Sequence, residues 1–213
     1  MPKPEARPTR GEKKALTRRR LIDAAATVFA QRGFAAASLD EIAEEAGLTK
    51  GAVYSNFWNK EDLVSAVLED RFDQRLRDVT AEVDFDAGLE EQARTSSVAF
   101  MTRSHEEEWL LLLDLEYLVH AIRNPEFRAR HEVRHREALE AMTDVIESTA
   151  ERSETALPMP AEQFAIVANA LALGLSIESM QNPDGVPDEL FGAALALMFR
   201  GAESHPSPGA APS

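Results

Sequence analysis

A short segment in the first third of the chain has the residue types and the spacing of a nucleic-acid contact surface. One stripe of a predicted helix there consists of Lys50, Gly51, Tyr54 and Ser55. A lysine reaches a phosphate or a guanine edge, and a glycine permits close approach of the helix to a base. A tyrosine offers its hydroxyl to phosphate and its ring edge to a thymine methyl. The predicted chemistry is hydrogen bonding to phosphates and base edges.

Three helical patterns position that stripe. Apolar residues at i, i+3, i+4 and i+7 predict a first helix over residues 17–32. Ser38 and Glu41 form a capping box that begins a second helix, which Gly47 ends. Thr49 is a good N-cap for the third helix. Two helices joined by a tight turn, with a preceding helix to pack against, predict a helix-turn-helix whose last helix enters the major groove.

The same segment resembles a known family. The run LIDAAATVFAQRGFAAASLDEIAEEAGLTKGAVYSNFWNKEDLV is similar to the N-terminal domain of TetR-family transcriptional regulators and covers about a fifth of the chain. The resemblance is specific, because the AA..F..GF and S.DEIA..AGL.KGA.Y..F..K elements occur together at matching separation. It implies an all-helical homodimer with a small DNA-binding domain and a larger ligand-binding and dimerisation domain.

The resemblance also implies roles for individual positions. Phe57 corresponds to a core aromatic that holds the third helix on the first. Thr17 and Lys60 correspond to flanking residues that contact phosphate, and we place Ser38 in the DNA-binding set with them. Ser55 and Asn56 stand where many relatives carry an aromatic residue or histidine, which leaves the base preference open. The recognition helix corresponds to Thr49, Lys50, Gly51, Tyr54, Ser55 and Asn56.

Charge is divided unevenly along the chain. The net charge is −14, yet residues 1–60 carry 11 basic and 7 acidic side chains, whereas residues 61–213 carry 12 basic and 30 acidic ones. Positive charge therefore lies where phosphate contacts are predicted, and the acidic remainder repels DNA. Residues 1–16 are basic and proline-rich at their start, which predicts a flexible arm. Two interpretations of that arm stay open, a DNA contact and a solvated tail.

Composition narrows the class of protein further. The chain has no cysteine, which excludes disulfides and thiolate metal sites. Apolar runs fall short of a membrane span, and no apolar h-region of a signal peptide is visible. Strand signals are scarce. We therefore expect an all-α cytoplasmic protein without a cofactor.

The C-terminal part has its own pattern. We assign residues 17–60 to the DNA-binding domain, residues 61–202 to a regulatory and dimerisation domain, and residues 203–213 to a disordered tail. Helices predicted over residues 161–181 and 188–200 are apolar on two faces and must be covered on two sides. A four-helix bundle between two copies does this, although burial within one subunit is an alternative. The predicted dimer contacts are Ile166, Ala170, Leu173, Ile177, Leu195 and Met198.

Two further features concern small ligands and metals. Polar groups among aromatic residues can line an effector pocket. On this basis we assign Phe100, Trp109, Tyr117 and His120 to ligand binding, although they can equally be core residues. Residues 131–135 read His-Glu-Val-Arg-His, the spacing of a zinc peptidase helix. Arginines at 128, 130, 134 and 136 surround it, and these cations disfavour a zinc ion. We therefore predict a solvated surface stripe, with no metal and no catalytic residue.

These features together predict a function. We expect a dimeric regulator, most often a repressor, that binds a palindromic DNA operator and is released by a small-molecule effector. The alternative is a helical dimeric interaction protein without an effector, and a zinc peptidase comes third.

Overall fold

The computed structural model describes residues 9–81, 84, 87, 89–152, 154 and 156–203. Residues 1–8 of the arm predicted over residues 1–16, and residues 204–213 of the tail predicted over residues 203–213, lie outside the described residues, whereas Glu203 ends a helix. Within the described part every regular element is a helix, which confirms the all-α prediction. The helices are α1 (Arg10–Ala36), α2 (Leu39–Glu45), α3 (Lys50–Tyr54), α4 (Lys60–Ala81), α5 (Leu89–Glu106), α6 (Glu108–Arg123), α7 (Pro125–Arg152), α8 (Ala161–Gln181) and α9 (Leu190–Glu203).

Helix α1 begins seven residues earlier than predicted. Thr9 is its N-cap, and the Glu12 backbone N–H donates to Thr9 Oγ1 at 3.2 Å while the Thr9 N–H donates to Glu12 Oε2 at 2.6 Å. This reciprocal capping box satisfies two free donors of the first turn. The second half of the predicted arm is therefore helical. We had interpreted this segment as flexible because of its prolines and its charge, and therefore did not use the Thr9 and Glu12 pair as a start signal.

Helix α1 also continues past its predicted end. Gly33 has φ +71° and ψ 175°, and the chain stays helical beyond it to Ala36. Glu116 of α6 holds the kink, since the Phe34 N–H donates to its Oε2 at 2.6 Å. A Cβ at Gly33 would lie 3.0 Å from Glu116 Oε1. This backbone region is open to glycine almost alone, so the residue type is required here.

The two helices that follow obey the predicted signals. Ser38 caps α2 with Glu41 as its reciprocal partner, and Thr49 caps α3. Gly47, with φ +60°, makes the turn between them. Arg20 of α1 donates from Nη2 to the carbonyl of Ala46 at 2.7 Å, which satisfies a free acceptor at the end of α2. Short helices of this kind depend on such caps and on packing, because alone they are too short to be stable.

The chain divides into two compact units. The first contains residues 1–71 and 109–131, and its apolar core joins α1 to α4 with α6 through side chains such as Phe29, Val53, Phe57 and Tyr117. The unit therefore extends beyond the boundary predicted at residue 60, because α6 completes this core. The functional domain boundaries stay a prediction.

The second unit contains residues 72–108 and 132–213. Its core includes Met101 of α5, Ala172 of α8 and Phe191 of α9, and the Phe100 and Phe191 rings lie 5.6 Å apart. The bounds of α8 are those predicted. By length and composition α8 is also the one helix of the described residues that could cross a membrane, with a window of mean hydropathy 1.3 that is 33% buried. One such helix is weak evidence, because core helices of soluble proteins have the same character.

Candidate nucleic-acid interface

Helix α3 presents the predicted polar stripe to solvent. Val53 and the adjoining Phe57 are 0% and 1% exposed and hold the helix on the first core. Tyr54, on the other side, is 54% exposed. Lys50 and Gly51 are exposed as well. The Thr49 hydroxyl accepts the Ala52 N–H at 3.3 Å and fixes the first turn. The stripe is thus fixed in place by packing from behind.

Lys50 has an acidic neighbour on α2. Its Nζ donates to Asp40 Oδ2 at 2.7 Å, and this hydrogen bond raises the pKa of Lys50 above its ordinary value. Both side chains are exposed, so solvent weakens their attraction. Lys50 therefore stays protonated at neutral pH, and a phosphate or a guanine competes readily for it.

Gly51 has no structural need for glycine. It does not adopt a positive φ, and a Cβ at this position would meet only Thr49 Oγ1, at 3.8 Å. Glycine inside a helix costs about 0.5–1 kcal/mol relative to alanine. A requirement for glycine here must come from outside the subunit. Close approach to a DNA base meets that description.

The other predicted contact residues are tied to the backbone near them. The Ser55 hydroxyl and the Asn56 amide both donate to the Ala52 carbonyl, at 2.9 and 2.8 Å. Ser38 is the N-cap of α2, and the Thr17 hydroxyl donates to the Lys13 carbonyl at 2.9 Å. The bonds of Ser38, Ser55 and Asn56 lie at the ends of α2 and α3, whereas that of Thr17 lies within α1. DNA contacts from these four side chains stay predictions.

Lys60 is placed differently from the phosphate contact that we assigned. Its Nζ donates to the carbonyls of Phe34, Ala35 and Ala37 at 2.7, 3.1 and 3.0 Å, and it lies 4.7 Å from the centroid of the Phe34 ring. An ammonium group has three donors, and all three are used. In the structure Lys60 therefore caps the C-terminal end of α1, and its predicted phosphate contact stays a prediction.

Sequence reasoning missed several residues that shape this surface. Arg18 donates from Nη1 to the Asn56 carbonyl at 3.3 Å, and its guanidinium lies 4.4 Å from the centroid of the Phe57 ring. The ring of Trp58 is 85% exposed directly after Phe57. Glu116 carried no sequence signal, because its partner is 82 residues away. A tryptophan in a polar segment was a visible signal that we did not use.

Comparisons with known proteins agree with this geometry. Residues 21–67 match the family model of bacterial regulatory proteins, tetR family, and residues 89–200 match that of the BetI-type transcriptional repressor, C-terminal. The chain belongs to the TetR family. The resemblance found in the sequence is confirmed.

Named relatives place this TetR-family chain among transcriptional regulators. TtgW, an uncharacterized HTH-type transcriptional regulator of Pseudomonas putida, is 41% identical over 100 residues, which are 47% of this chain and 71% of TtgW. SrpR, an HTH-type transcriptional regulator of the same species, is 40% identical over 89 residues, which are 42% of this chain and 40% of SrpR. The chain is a helix-turn-helix transcriptional regulator and not an enzyme.

Solved structures share the fold. A TetR-family regulator from Rhodococcus sp. superposes with a TM-score of 0.70 at 20% identity, over 87% of this chain and 99% of that one. The regulator FadR from Bacillus subtilis, solved in complex with stearoyl-CoA, gives a TM-score of 0.66 at 18% identity, over 86% of this chain and 98% of that one. At these identities the likeness shows the fold alone.

The predicted effector pocket residues of this regulator lie mostly in packed core. Tyr117 is fully buried and Trp109 packs on the same core of the first unit. His120 lies between the rings of Phe34 and Phe127, at 5.1 Å from each centroid. Phe100 packs in the second unit. Tyr117 therefore has a core position, and Trp109 and His120 are partly buried beside it. The ligand-binding role of all four residues stays a prediction.

The His-Glu-Val-Arg-His run lies within α7. The His131 ring packs 5.8 Å from the Tyr117 ring, and His135 is exposed. In the part of the chain that the structure describes, no group of three or more potential ligands could hold a metal ion. Because the family consists of regulators, the peptidase alternative is excluded.

Helices α8 and α9 leave apolar side chains uncovered. Ile166 and Leu197 are 47% and 64% exposed. Leu195, which we predicted as a dimer contact, is partly buried and packs against the core of its own unit, and its dimer contact stays a prediction. Sequence reasoning did not single out Leu197, the more exposed of these two residues. Among our other predicted contacts, Ala170 is exposed within the subunit, and Leu173, Ile177 and Met198 are partly exposed.

Proposed function

We propose that this regulator binds a palindromic or near-palindromic operator as a homodimer, with one α3 in the major groove of each half-site. The observation that carries the proposal is the exposed stripe of Lys50, Gly51 and Tyr54, which is held in place from behind by buried Val53 and Phe57. A dimer presents two recognition helices about one helical turn, roughly 34 to 36 Å, or a multiple apart. The operator therefore has two inverted half-sites.

The dimer is proposed to form through α8 and α9. The support is the exposed apolar surface of Ile166, Val167 and Leu197, in a helix pair that otherwise covers its own core. Isologous pairing of two such helix pairs gives a four-helix bundle that covers this surface. TetR-family regulators bind DNA and small molecules as dimers, which supports the same arrangement.

We further propose repression with release by a small-molecule effector, in the cytoplasm. The support is the match of residues 89–200 to a repressor C-terminal domain and the fold likeness to a regulator solved with stearoyl-CoA. The effector acts by preferring one of two dimer conformations, with a coupling of about 1–3 kcal/mol.

The test starts from DNA that the protein itself selects. The full chain is used to select duplexes from a random-sequence pool, and binding is measured by gel shift and footprinting. We expect an inverted repeat. The variants Tyr54→Ala and Lys50→Ala should stay folded, because both side chains are exposed, and should lose specific binding. Loss of a bidentate base contact by Lys50 is worth about 1–3 kcal/mol and relaxes base preference.

The matched control is Val133→Ala, which removes an exposed apolar side chain from α7 and should leave the shift unchanged. If folded Tyr54 and Lys50 variants bind the selected duplex as tightly as the parent, α3 does not read the groove. If no duplex is enriched at all, the proposed function is wrong.

A further inference from the structure

Trp58 is an exposed aromatic residue in the turn that follows α3. Its side chain is 85% exposed, the most among the large apolar side chains of the described residues, while its neighbour Phe57 is 1% exposed and packs in the core. The chain contains only two tryptophans, and the other, Trp109, packs against that core. An indole this exposed contributes little to the core of the subunit, so its ring and its N–H are available to a partner.

The backbone beneath the indole is fixed. The Trp58 N–H donates to Asp62 Oδ2 at 3.1 Å, and the Asp62 N–H donates to Asn59 Oδ1 at 2.8 Å. Asp62 Oδ1 also lies 3.9 Å from Arg130 Nη1. These bonds tie the turn between α3 and α4 to the first turn of α4. The backbone that carries the indole is therefore held in place before a partner arrives, and this reduces the backbone entropy lost on binding.

The surroundings of Trp58 favour DNA as that partner. Tyr54 of the recognition helix is 54% exposed four residues earlier. Arg18 binds the Asn56 carbonyl and lies against Phe57, so a cation is fixed beside the same turn. The sequence neighbours Asn56, Asn59 and Lys60 are polar, whereas a protein-docking site needs a contiguous apolar patch. An indole offers an apolar face and one N–H donor, which fit a deoxyribose and a phosphate oxygen.

We propose that Trp58 contacts the sugar–phosphate backbone beside the groove that α3 enters, with its Nε1–H donating to a phosphate oxygen and its ring lying on the adjoining sugar. The inference rests on the proposed function and adds a contact that carries no charge. A neutral side chain releases no counterion, so its contribution to affinity does not depend on salt. This property distinguishes Trp58 from Lys50.

The experiment follows the fluorescence of Trp58 in the full-length protein. The emission of the parent minus that of Trp58→Phe isolates the signal of Trp58, and acrylamide quenching measures its exposure to solvent. The probe is the duplex that the parent selects from a random pool, with a scrambled duplex of the same composition beside it. We expect strong quenching in the free protein and weak quenching on the selected duplex.

Affinity measurements supply a second readout. Trp58→Ala should weaken binding to the selected duplex by about tenfold or more, since one hydrogen bond of about 1 kcal/mol is lost at each half-site. The slope of log affinity against log salt should stay that of the parent. Trp58→Phe keeps the ring contact, so its affinity should lie between those of the parent and of Trp58→Ala. The control Ile122→Ala removes another exposed apolar side chain, on α6, and should bind like the parent.

Each contrary result has a distinct meaning. If Trp58 is quenched equally in free and bound protein and Trp58→Ala binds as tightly as the parent, the inference is wrong while DNA binding stands. If Trp58 is already protected in the free dimer, it is covered by protein and the inference is again wrong. If the parent selects no duplex, the inference and the proposed function fall together.

Discussion

At individual residues on α3, folding and DNA binding favour different side chains. Gly51 is the clearest case, because a Cβ there meets only Thr49 Oγ1 in ordinary contact. Folding alone would favour alanine at this helical position. We therefore expect any requirement for glycine here to come from DNA binding, and stability and affinity can be measured separately.

We expect Gly51→Ala to stabilise the protein and weaken its function. The free energy of unfolding should rise by about 0.5–1 kcal/mol, because alanine loses less backbone entropy than glycine. Affinity for the selected duplex should fall, because the new methyl group keeps α3 away from the base. Urea unfolding and gel shifts measure the two effects. Ser148→Ala on α7 is the control and should leave affinity unchanged. A Gly51→Ala variant that binds DNA like the parent would show that the glycine serves no close approach.

At Lys60 we expect the reverse, a loss of stability without the loss of a DNA contact. Its three hydrogen bonds to the carbonyls of residues 34, 35 and 37 predict that Lys60→Met lowers the free energy of unfolding by about 1–3 kcal/mol, since these acceptors lose their partner. At a temperature where both proteins are folded, the salt dependence of DNA binding should be that of the parent. A phosphate contact would instead lower the slope by about 0.9 per subunit. A salt titration of both proteins decides between the roles.

At the scale of helices, caps and kinks decide where elements begin and end. The kink at Gly33 combines a backbone region reserved for glycine with the carboxylate of Glu116 at 3.0 Å from the site of a Cβ. The first turn of α2 depends on another carboxylate, that of Glu41. Its hydrogen bonds with Ser38 lower the pKa of Glu41. The Gly33 kink depends on a residue that is distant in sequence, and the α2 cap depends on polar residues. A search for periodic apolar residues detects neither.

We expect Gly33→Ala to be strongly destabilising. The strained backbone alone costs about 1–3 kcal/mol, and the methyl group also displaces Glu116 from the Phe34 N–H. In a double-mutant cycle with Glu116→Ala the two losses should not add, because the second change removes the clash that the first creates. Urea unfolding of the four proteins measures this. Gly11→Ala, whose Cβ would meet only Thr9 Oγ1 at 3.9 Å, is the control and should be neutral or stabilising. Simple additivity would contradict the coupling.

Local signals explain which elements the sequence predicted well. Ser38 with Glu41, Thr49 as N-cap and the bounds of α8 all depend on residues close to one another in sequence, and the structure has them as predicted. The start of α1 was also a local signal, the Thr9 and Glu12 pair, but it lay in a segment that we interpreted by its charge. The role of Lys60 and the core position of Tyr117 depend on tertiary contacts across 23 or more residues. No periodicity reports such contacts.

At the scale of the whole molecule, α8 and α9 have two kinds of apolar residue that the sequence pattern does not distinguish. Leu195 packs on Phe191 and its neighbours inside the subunit, whereas Leu197, two residues later, is 64% exposed. A turn of about 100° per residue places these side chains on different sides of α9. Our prediction put Leu195 in the dimer contact because both faces are apolar. The uncovered face is the one that a second copy would bury.

These neighbouring leucines should therefore respond in opposite ways. Leu195→Ala should lower the free energy of unfolding by about 2–3 kcal/mol while the protein remains dimeric, since it opens a cavity within one subunit. Leu197→Glu should leave the subunit folded but yield monomer, because a carboxylate cannot be buried unpaired between two copies. Circular dichroism with urea and light scattering on a sizing column measure the two properties, and Val133→Glu on α7 is the matched control, expected to stay dimeric. The monomer should contact single half-sites and lose most of its affinity for the inverted repeat, because each half-site then has to be bound independently. A folded, dimeric Leu197→Glu protein would place the dimer contact elsewhere.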